Sequence, residues 1–136
     1  MAMTNSNQTK QTRAMTVLGW IVTAIPVAAM LLSAAMKLTH HAGFVQSWTR
    51  GLGFPITTMT AVGVIELACV VLYLVPRSAV LGAILVAAYL GGAAAAHVRI
   101  GQPVEIPVGL GVLAWVGLLL RNPRARRLFS RPDATE

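Results

Sequence analysis

The sequence has only one cysteine, Cys69, among its 136 residues. A single thiol cannot form a disulfide within the chain, and it excludes the Cys-x-x-Cys relay of membrane disulfide oxidoreductases. Cys69 lies in the middle of an apolar run, where a free cysteine usually acts as a small hydrophobic side chain. The cysteine content therefore predicts neither a disulfide scaffold nor a thiol relay.

Charged residues are also scarce. They make up 11% of the chain, against about 25% in an ordinary soluble domain, while hydrophobic residues reach 56%. Basic residues outnumber acidic ones by 11 to 4, but they lie at the chain ends and in the connections rather than in the gathered footprint that a nucleic-acid binder needs. The composition predicts an integral membrane protein whose main partner is the lipid bilayer, with no nucleic-acid partner.

The chain contains four apolar runs, at residues 17–36, 59–75, 79–96 and 104–120. About 20 helical residues cross the hydrocarbon core. The first run contains Pro26, which is expected to kink its helix. A secretory signal peptide is the alternative for this run, because residues 33–35 resemble a small-x-small cleavage site, although its apolar core is longer than usual. We predict an all-α membrane protein, with a four-transmembrane-helix bundle over residues 15–121.

The ends of the chain set the predicted orientation. Residues 1–14 are expected to form a disordered cytoplasmic tail and residues 122–136 a basic cytoplasmic tail. An even number of spans puts both termini on one side, together with most of the cations, as the positive-inside rule requires. The cations expected on the opposite side are Lys37, Arg50 and Arg99. We therefore expect a multi-pass protein of the plasma membrane, with both termini cytoplasmic.

The longest connection lies between the first two runs, at residues 37–58. Phe44, Val45, Trp48 and Leu52 recur there at spacings of one, three and four residues. This pattern predicts a short amphipathic helix at the membrane interface, a level that tryptophan prefers.

Small residues repeat every four positions in the third run, at Ala83, Ala87, Gly91 and Ala95. Helices in lipid associate by close backbone approach, and a smooth ridge of this kind permits it. The ridge suits either contacts within one bundle or a homo-oligomer face, and the sequence leaves both open.

Polar residues inside the apolar runs carry the functional prediction. Glu66 interrupts the second run, where a carboxylate costs about 2.5–3.5 kcal/mol on insertion scales. It must be protonated, paired with a cation or exposed to a hydrated cavity. Other polar residues fall in the same half of the bilayer, so we predict one ligand-binding site near the outer leaflet. Its residues are Lys37, Glu66, Tyr89, His97, Arg99 and Glu105. Glu66 is the candidate catalytic residue. A salt-bridge network that merely locks the bundle explains the same residues equally well.

Several stretches of the chain resemble the DoxX-like family of small four-helix membrane proteins. They are SAAMKL, GLGFP, GVIELACVVLYLVPR, LGAILVAAYLGGAAAAHVRIG and LGVLAWVGLLLRNPRARRL, and together they cover roughly residues 17–129. The most specific parts are the glutamate of the second helix, the Pro-Arg turn and the ending of the third helix. By position these correspond to Glu66, Pro76, Arg77, Gly91, Gly92, Ala93, His97 and Arg99, with Lys37 from the first stretch.

The resemblance implies that this chain is itself a membrane partner in a redox or thiol-stress system, because the group takes its name from a subunit of a thiosulfate:quinone oxidoreductase. It implies a quinone as the ligand, and a redox protein or a second copy as the partner. The sequence itself has no haem, flavin or metal motif; the adjacent His40 and His41 point in different directions on a helix and do not form a ligand set. Three functions stay open: an accessory subunit, a small membrane enzyme that uses Glu66 as acid or base, and an assembly chaperone.

Overall fold

The computed structural model describes the backbone of residues 2–128 and the side chains from residue 12 onward. Within these residues the chain forms helices and no strand. The helices are α1 (Ala2–Leu38), α2 (Ala42–Gln46), α3 (Thr57–Leu74), α4 (Ala79–Arg99), α5 (Glu105–Arg121) and α6 (Pro123–Arg127), with a π-helical turn at Ser47–Gly51.

Three of the helices are long and apolar enough to cross a membrane: Thr12–Leu38 within α1, Thr57–Leu74 and Ala79–Arg99. They correspond to the first three predicted spans, with bounds shifted by a few residues. The fourth predicted span corresponds to α5, which is helical over 17 residues and is not among these three. The described residues thus confirm an all-helical membrane protein, whereas the four-span count stays a prediction.

Helix α1 is longer than the sequence predicted. It begins at Ala2 and passes through Pro26 without ending, so the backbone of residues 2–14, for which we expected disorder, is helical. The reason is local, because no glycine or proline occurs between Ala2 and Leu18 to interrupt the helix. At the other end of the chain, α6 occupies part of the predicted tail 122–136, and residues 129–136 lie outside the described part.

The four long helices form a bundle in which α1 packs against α3 and α5, and α4 packs against α3 and α5. The core between them contains Met30, Val70, Tyr73, Val86 and Leu118. Large apolar side chains also cover the outside of the bundle, for example Ile25, Ile65 and Val112. Such an exterior suits lipid, because a water-soluble protein of this size rarely exposes so much contiguous apolar surface.

Glycines set the closest helix crossings. A Cβ at Gly19 of α1 would lie 2.6 Å from the Arg121 backbone nitrogen, one at Gly117 of α5 would lie 3.0 Å from the Thr23 nitrogen, and one at Gly82 of α4 would collide with the Tyr73 backbone. These are the small-residue contacts that membrane helices use for association. They differ from the predicted ridge, since only its first member, Ala83, is fully buried.

The rest of the ridge faces outward. Gly91, Gly92 and Gly109 have open space where a Cβ would be. Next to them, α4 and α5 leave an apolar groove of about 400 Å³, lined in part by Ala87, Gly91, Ala94, Val108, Gly111 and Val112. Apart from Ala83, the ridge therefore contributes little to packing within the described part of the chain.

Candidate ligand site around Lys37

A buried ion pair joins α1 to α3. The Lys37 ammonium lies 2.8 Å from Oε2 of Glu66, and the two side chains are 5% and 2% exposed. Lys37 is the next-to-last residue of α1 and Glu66 is in the middle of α3. Helical side chains lean toward the N-terminus of their helix, so Lys37 reaches back into the bundle and meets the carboxylate there.

Ser33 completes the hydrogen bonding on the α1 side. The Lys37 ammonium donates to the Ser33 hydroxyl at 2.5 Å, and this hydroxyl donates to Oε2 of Glu66 at 3.3 Å. Ser33 is four residues before Lys37 and so lies on the same face of α1. The three side chains form a closed triangle that balances the charge of Glu66 inside the bundle.

Aromatic rings surround the remaining side of the ammonium. The Lys37 Nζ lies 5.0 Å from the centre of the Phe44 ring, 5.8 Å from that of Tyr89 and 6.0 Å from that of Trp48. Each ring is within the range of a cation–π interaction. The Tyr89 phenol also faces the Glu66 carboxylate. We call Ser33, Lys37, Phe44, Trp48, Glu66 and Tyr89 together the Lys37 cluster.

Residues 42–54 fold over this cluster, and we call them the strap. The predicted amphipathic helix is present as α2 and the π-helical turn that follows it. Trp48 is 6% exposed, donates from Nε1 to the Pro55 carbonyl at 3.2 Å and packs against Phe54 with ring centres 5.2 Å apart. The Trp48 indole therefore covers Lys37 instead of lying free at the lipid interface.

Three of the six predicted site residues lie elsewhere. His97 bonds through Nδ1 to the Pro103 carbonyl at 3.0 Å. Arg99 donates to the Leu52 carbonyl and stacks 4.8 Å from the centre of the Phe54 ring, while Glu105 is exposed in the first turn of α5. The structure thus brings together Lys37, Glu66 and Tyr89, whereas His97 and Arg99 fasten the connections around the strap.

A family comparison adds an independent observation. The model of the DoxX-like family matches residues 21–119, which include the Lys37–Glu66 pair and Tyr89. The chain belongs to the DoxX-like family. A search of curated proteins and a search of solved structures gave no match. The cluster of this DoxX-like protein must therefore be interpreted from its own chemistry.

That chemistry combines a few polar groups with flat apolar surfaces. The Lys37 cluster holds an ammonium, a carboxylate, an aliphatic hydroxyl and a phenol, enclosed by the rings of Phe44 and Trp48. Sites for small lipophilic ligands are built in this way, largely apolar with a few convergent polar groups. The residues that sequence reasoning missed here are Ser33, Phe44 and Trp48.

Proposed function

We propose that this DoxX-like protein is a non-catalytic accessory subunit of a membrane redox system and binds a lipophilic ligand of the quinone class at the Lys37 cluster. One observation carries the proposal: a lysine–glutamate pair is kept almost fully buried at 2.8 Å in the bundle and is covered by aromatic rings. Ionisable groups within membrane helices are functional candidates because they are costly to keep there.

The ligand class follows from the groups that surround the pair. A quinone head is a flat ring with two carbonyl oxygens, which need hydrogen-bond donors. Glu66 and Ser33 take two of the three N–H groups of the Lys37 ammonium, and the third supplies a donor. The Phe44 and Trp48 rings supply stacking faces. Entry of the head requires the strap to move away from Lys37.

Acid or base catalysis by Glu66 is the less favoured alternative. Oxygen Oε2 of Glu66 accepts from Lys37 and from Ser33, so the carboxylate is the counter-ion of a buried ammonium. A general base takes up a proton during the reaction, and a protonated Glu66 would leave Lys37 buried without its counter-ion, which is costly. We therefore favour a binding role for this carboxylate over a proton-transfer role.

The proposal is tested by quinone binding to the purified protein in detergent, using decylubiquinone and quenching of tryptophan fluorescence. Glu66→Gln should weaken binding at least about tenfold, equivalent to about 1.4 kcal/mol. The matched control is Glu105→Gln, which removes the same charge from an exposed position and should leave binding within about twofold. Equal affinity of a folded Glu66→Gln protein and the wild type would exclude the site.

A second candidate function, an assembly chaperone that docks a client helix, is favoured by the open ridge at Gly91 and the adjoining groove. A photo-crosslinking residue at position 91 should then capture a client protein in the native membrane. The same residue at position 83 is the control, since Ala83 is fully buried. Crosslinks from position 91 that reach only lipid would exclude this function.

We further propose that α5 crosses the membrane as a fourth span, with both termini on the cytoplasmic face of the plasma membrane. Its 17 residues extend about 26 Å at 1.5 Å per residue, close to the hydrocarbon thickness of about 30 Å. Support comes from the packing of α5 against α1 and α4, two of the helices that are long and apolar enough to cross a membrane. Labelling of single cysteines at positions 77 and 127 from either side of a sealed vesicle tests it, because both should react from the same side.

A further inference from the structure

Arg121, the last residue of α5, is a second buried cation, remote from the Lys37 cluster. It is 8% exposed, and its guanidinium is held between two rings, 4.5 Å from the centre of the Trp20 ring and 4.6 Å from that of Tyr73. One terminal nitrogen donates to the Tyr73 carbonyl at 2.6 Å. The Nε–H group is buried without a hydrogen-bond partner.

No acidic side chain of the described residues balances this charge. Only Glu66 and Glu105 are acidic among them. Glu66 is bonded to Lys37, and Glu105 begins α5, about 24 Å from Arg121 at 1.5 Å per residue. A buried cation without a counter-ion is costly, and two rings and one carbonyl offset that cost only in part.

The level of Arg121 in the membrane follows from its contacts. Tyr73 is in the last turn of α3, next to the short connection between the spanning helices α3 and α4. A connection between two spans lies at a membrane face, which is the level of lipid phosphates. Arg77 of this connection and Arg124 and Arg127 after α5 are exposed, so the same face carries further positive charge.

From these observations we infer that Arg121 is the centre of a binding site for the phosphodiester headgroup of an anionic phospholipid. Guanidinium groups bind phosphate oxygens through their fixed fork of N–H groups. The Trp20 and Tyr73 rings hold the plane of the guanidinium, and the unpartnered Nε–H supplies a donor. The inference does not depend on the proposed function, because it concerns the opposite end of the bundle.

Native mass spectrometry of the full-length protein, released from delipidated detergent micelles, tests the site. The probes are phosphatidylglycerol, phosphatidylcholine and inorganic phosphate. Arg121→Lys keeps the charge and a donor for the Tyr73 carbonyl but removes the planar fork, while Arg127→Gln removes one charge from an exposed position. A thermal-shift measurement shows that each variant is folded, and Arg121→Gln is added as a charge-removing variant.

We expect one phosphatidylglycerol molecule to bind saturably to the wild type and to Arg127→Gln. Its affinity should be at least about tenfold lower in Arg121→Lys and Arg121→Gln. Phosphatidylcholine should bind the wild type more weakly than phosphatidylglycerol. Equal retention of phosphatidylglycerol by the wild type and both Arg121 variants would overturn the site. An equal loss in Arg127→Gln would overturn it as well, since attraction would then depend on net charge alone. Inorganic phosphate that binds as tightly as the lipid would overturn the headgroup assignment.

Discussion

The two ends of the bundle bury cations in different ways. At one end, Lys37 has a carboxylate partner on the neighbouring helix and three aromatic rings around it. At the other, Arg121 has two rings and a backbone carbonyl but no described carboxylate. The first end is neutralised within the protein, while the second relies on the partial negative charge at the C-terminus of α3. The protein balances the charge of Lys37, whereas no carboxylate of the described residues balances that of Arg121.

The two ends of the bundle also differ in how closely their helices pack. Gly19, Gly82 and Gly117 allow close backbone crossings near Arg121 and Tyr73. At the Lys37 end, a Cβ on Gly63 would lie 3.1 Å from the Lys37 Cβ and 3.2 Å from the Leu38 side chain. Side chains of α1, rather than backbone, fill the space beside Glu66. Close backbone contacts are therefore specific to the Arg121 end, where the Tyr73 hydroxyl also donates to the Ala114 carbonyl. The Lys37 end is held by contacts and bonds between side chains.

The largest effect is expected from Glu66→Gln, because it leaves the Lys37 ammonium buried without its counter-ion. Loss of one partner of a buried pair costs about 3–5 kcal/mol. Reversible unfolding in mixed micelles should show this loss of stability. The double variant Lys37→Met with Glu66→Gln should recover most of it, because no unpaired charge is left. A double variant as unstable as the single one would mean that the two residues do not act as a pair.

Gly82→Ala should destabilise the other end by about 1–3 kcal/mol, as overpacking does, because the new methyl group collides with the Tyr73 backbone. The matched control is Gly91→Ala, which adds the same methyl group where space is open. It should be neutral or slightly stabilising, because alanine favours a helix. Similar losses in both variants, measured by thermal unfolding, would contradict the helix crossing.

Arg121→Met sharpens the comparison of the two cations. It leaves the Tyr73 carbonyl without its donor but creates no unpaired charge, so we expect a loss of about 1–3 kcal/mol, less than that of Glu66→Gln. Arg127→Gln, at an exposed position, should stay within about 0.5 kcal/mol. If Arg121→Met cost as much as Glu66→Gln in the same unfolding assay, the two ends would not differ in the way described.

The smallest effects are expected at the polar residues that the structure places outside the Lys37 cluster. Glu105→Gln changes an exposed side chain and should alter stability by no more than about 0.5 kcal/mol, with quinone binding unchanged. Arg99→Gln removes the bond to the Leu52 carbonyl and the contact with the Phe54 ring, so we expect a loss of about 1 kcal/mol. Trp48→Leu is the contrasting variant, because it removes a ring over the Lys37 ammonium, an interaction of about 1–2 kcal/mol. Weaker binding in Glu105→Gln than in Trp48→Leu would restore the larger predicted site.

Sequence reasoning found the membrane class and the DoxX-like family, and it placed Lys37 and Glu66 in one predicted site. A cation partner for Glu66 was predictable because a carboxylate in lipid is costly. Both Lys37 and Arg99 end helices at a similar depth, so only the structure shows that Lys37 is the partner. The signal that could have added Ser33 was its spacing of four residues from Lys37. Trp48 and Phe44 were recognised as an interfacial pattern, but a pattern does not show onto which surface the strap folds.

His97, Arg99 and Glu105 were grouped with Glu66 because they share its depth in the membrane. Depth along the bilayer does not fix the direction of a side chain around the helix, and these three point toward the connections or outward. The role of Arg121 was hidden for a related reason. It is the first of a run of arginines at the chain end, and only packing against α1 and α3 distinguishes it from its exposed neighbours.

The most direct measurement is the dipolar coupling between ¹⁵N of the Lys37 ammonium and ¹³C of the Glu66 carboxyl group, by solid-state nuclear magnetic resonance on protein in lipid bilayers. The salt bridge between Nζ and Oε2 at 2.8 Å predicts a measurable coupling that disappears in Glu66→Ala. The carboxyl group of Glu105 should show no coupling to Lys37. Absence of the coupling in folded wild-type protein would contradict the buried pair and, with it, the ligand site built on it.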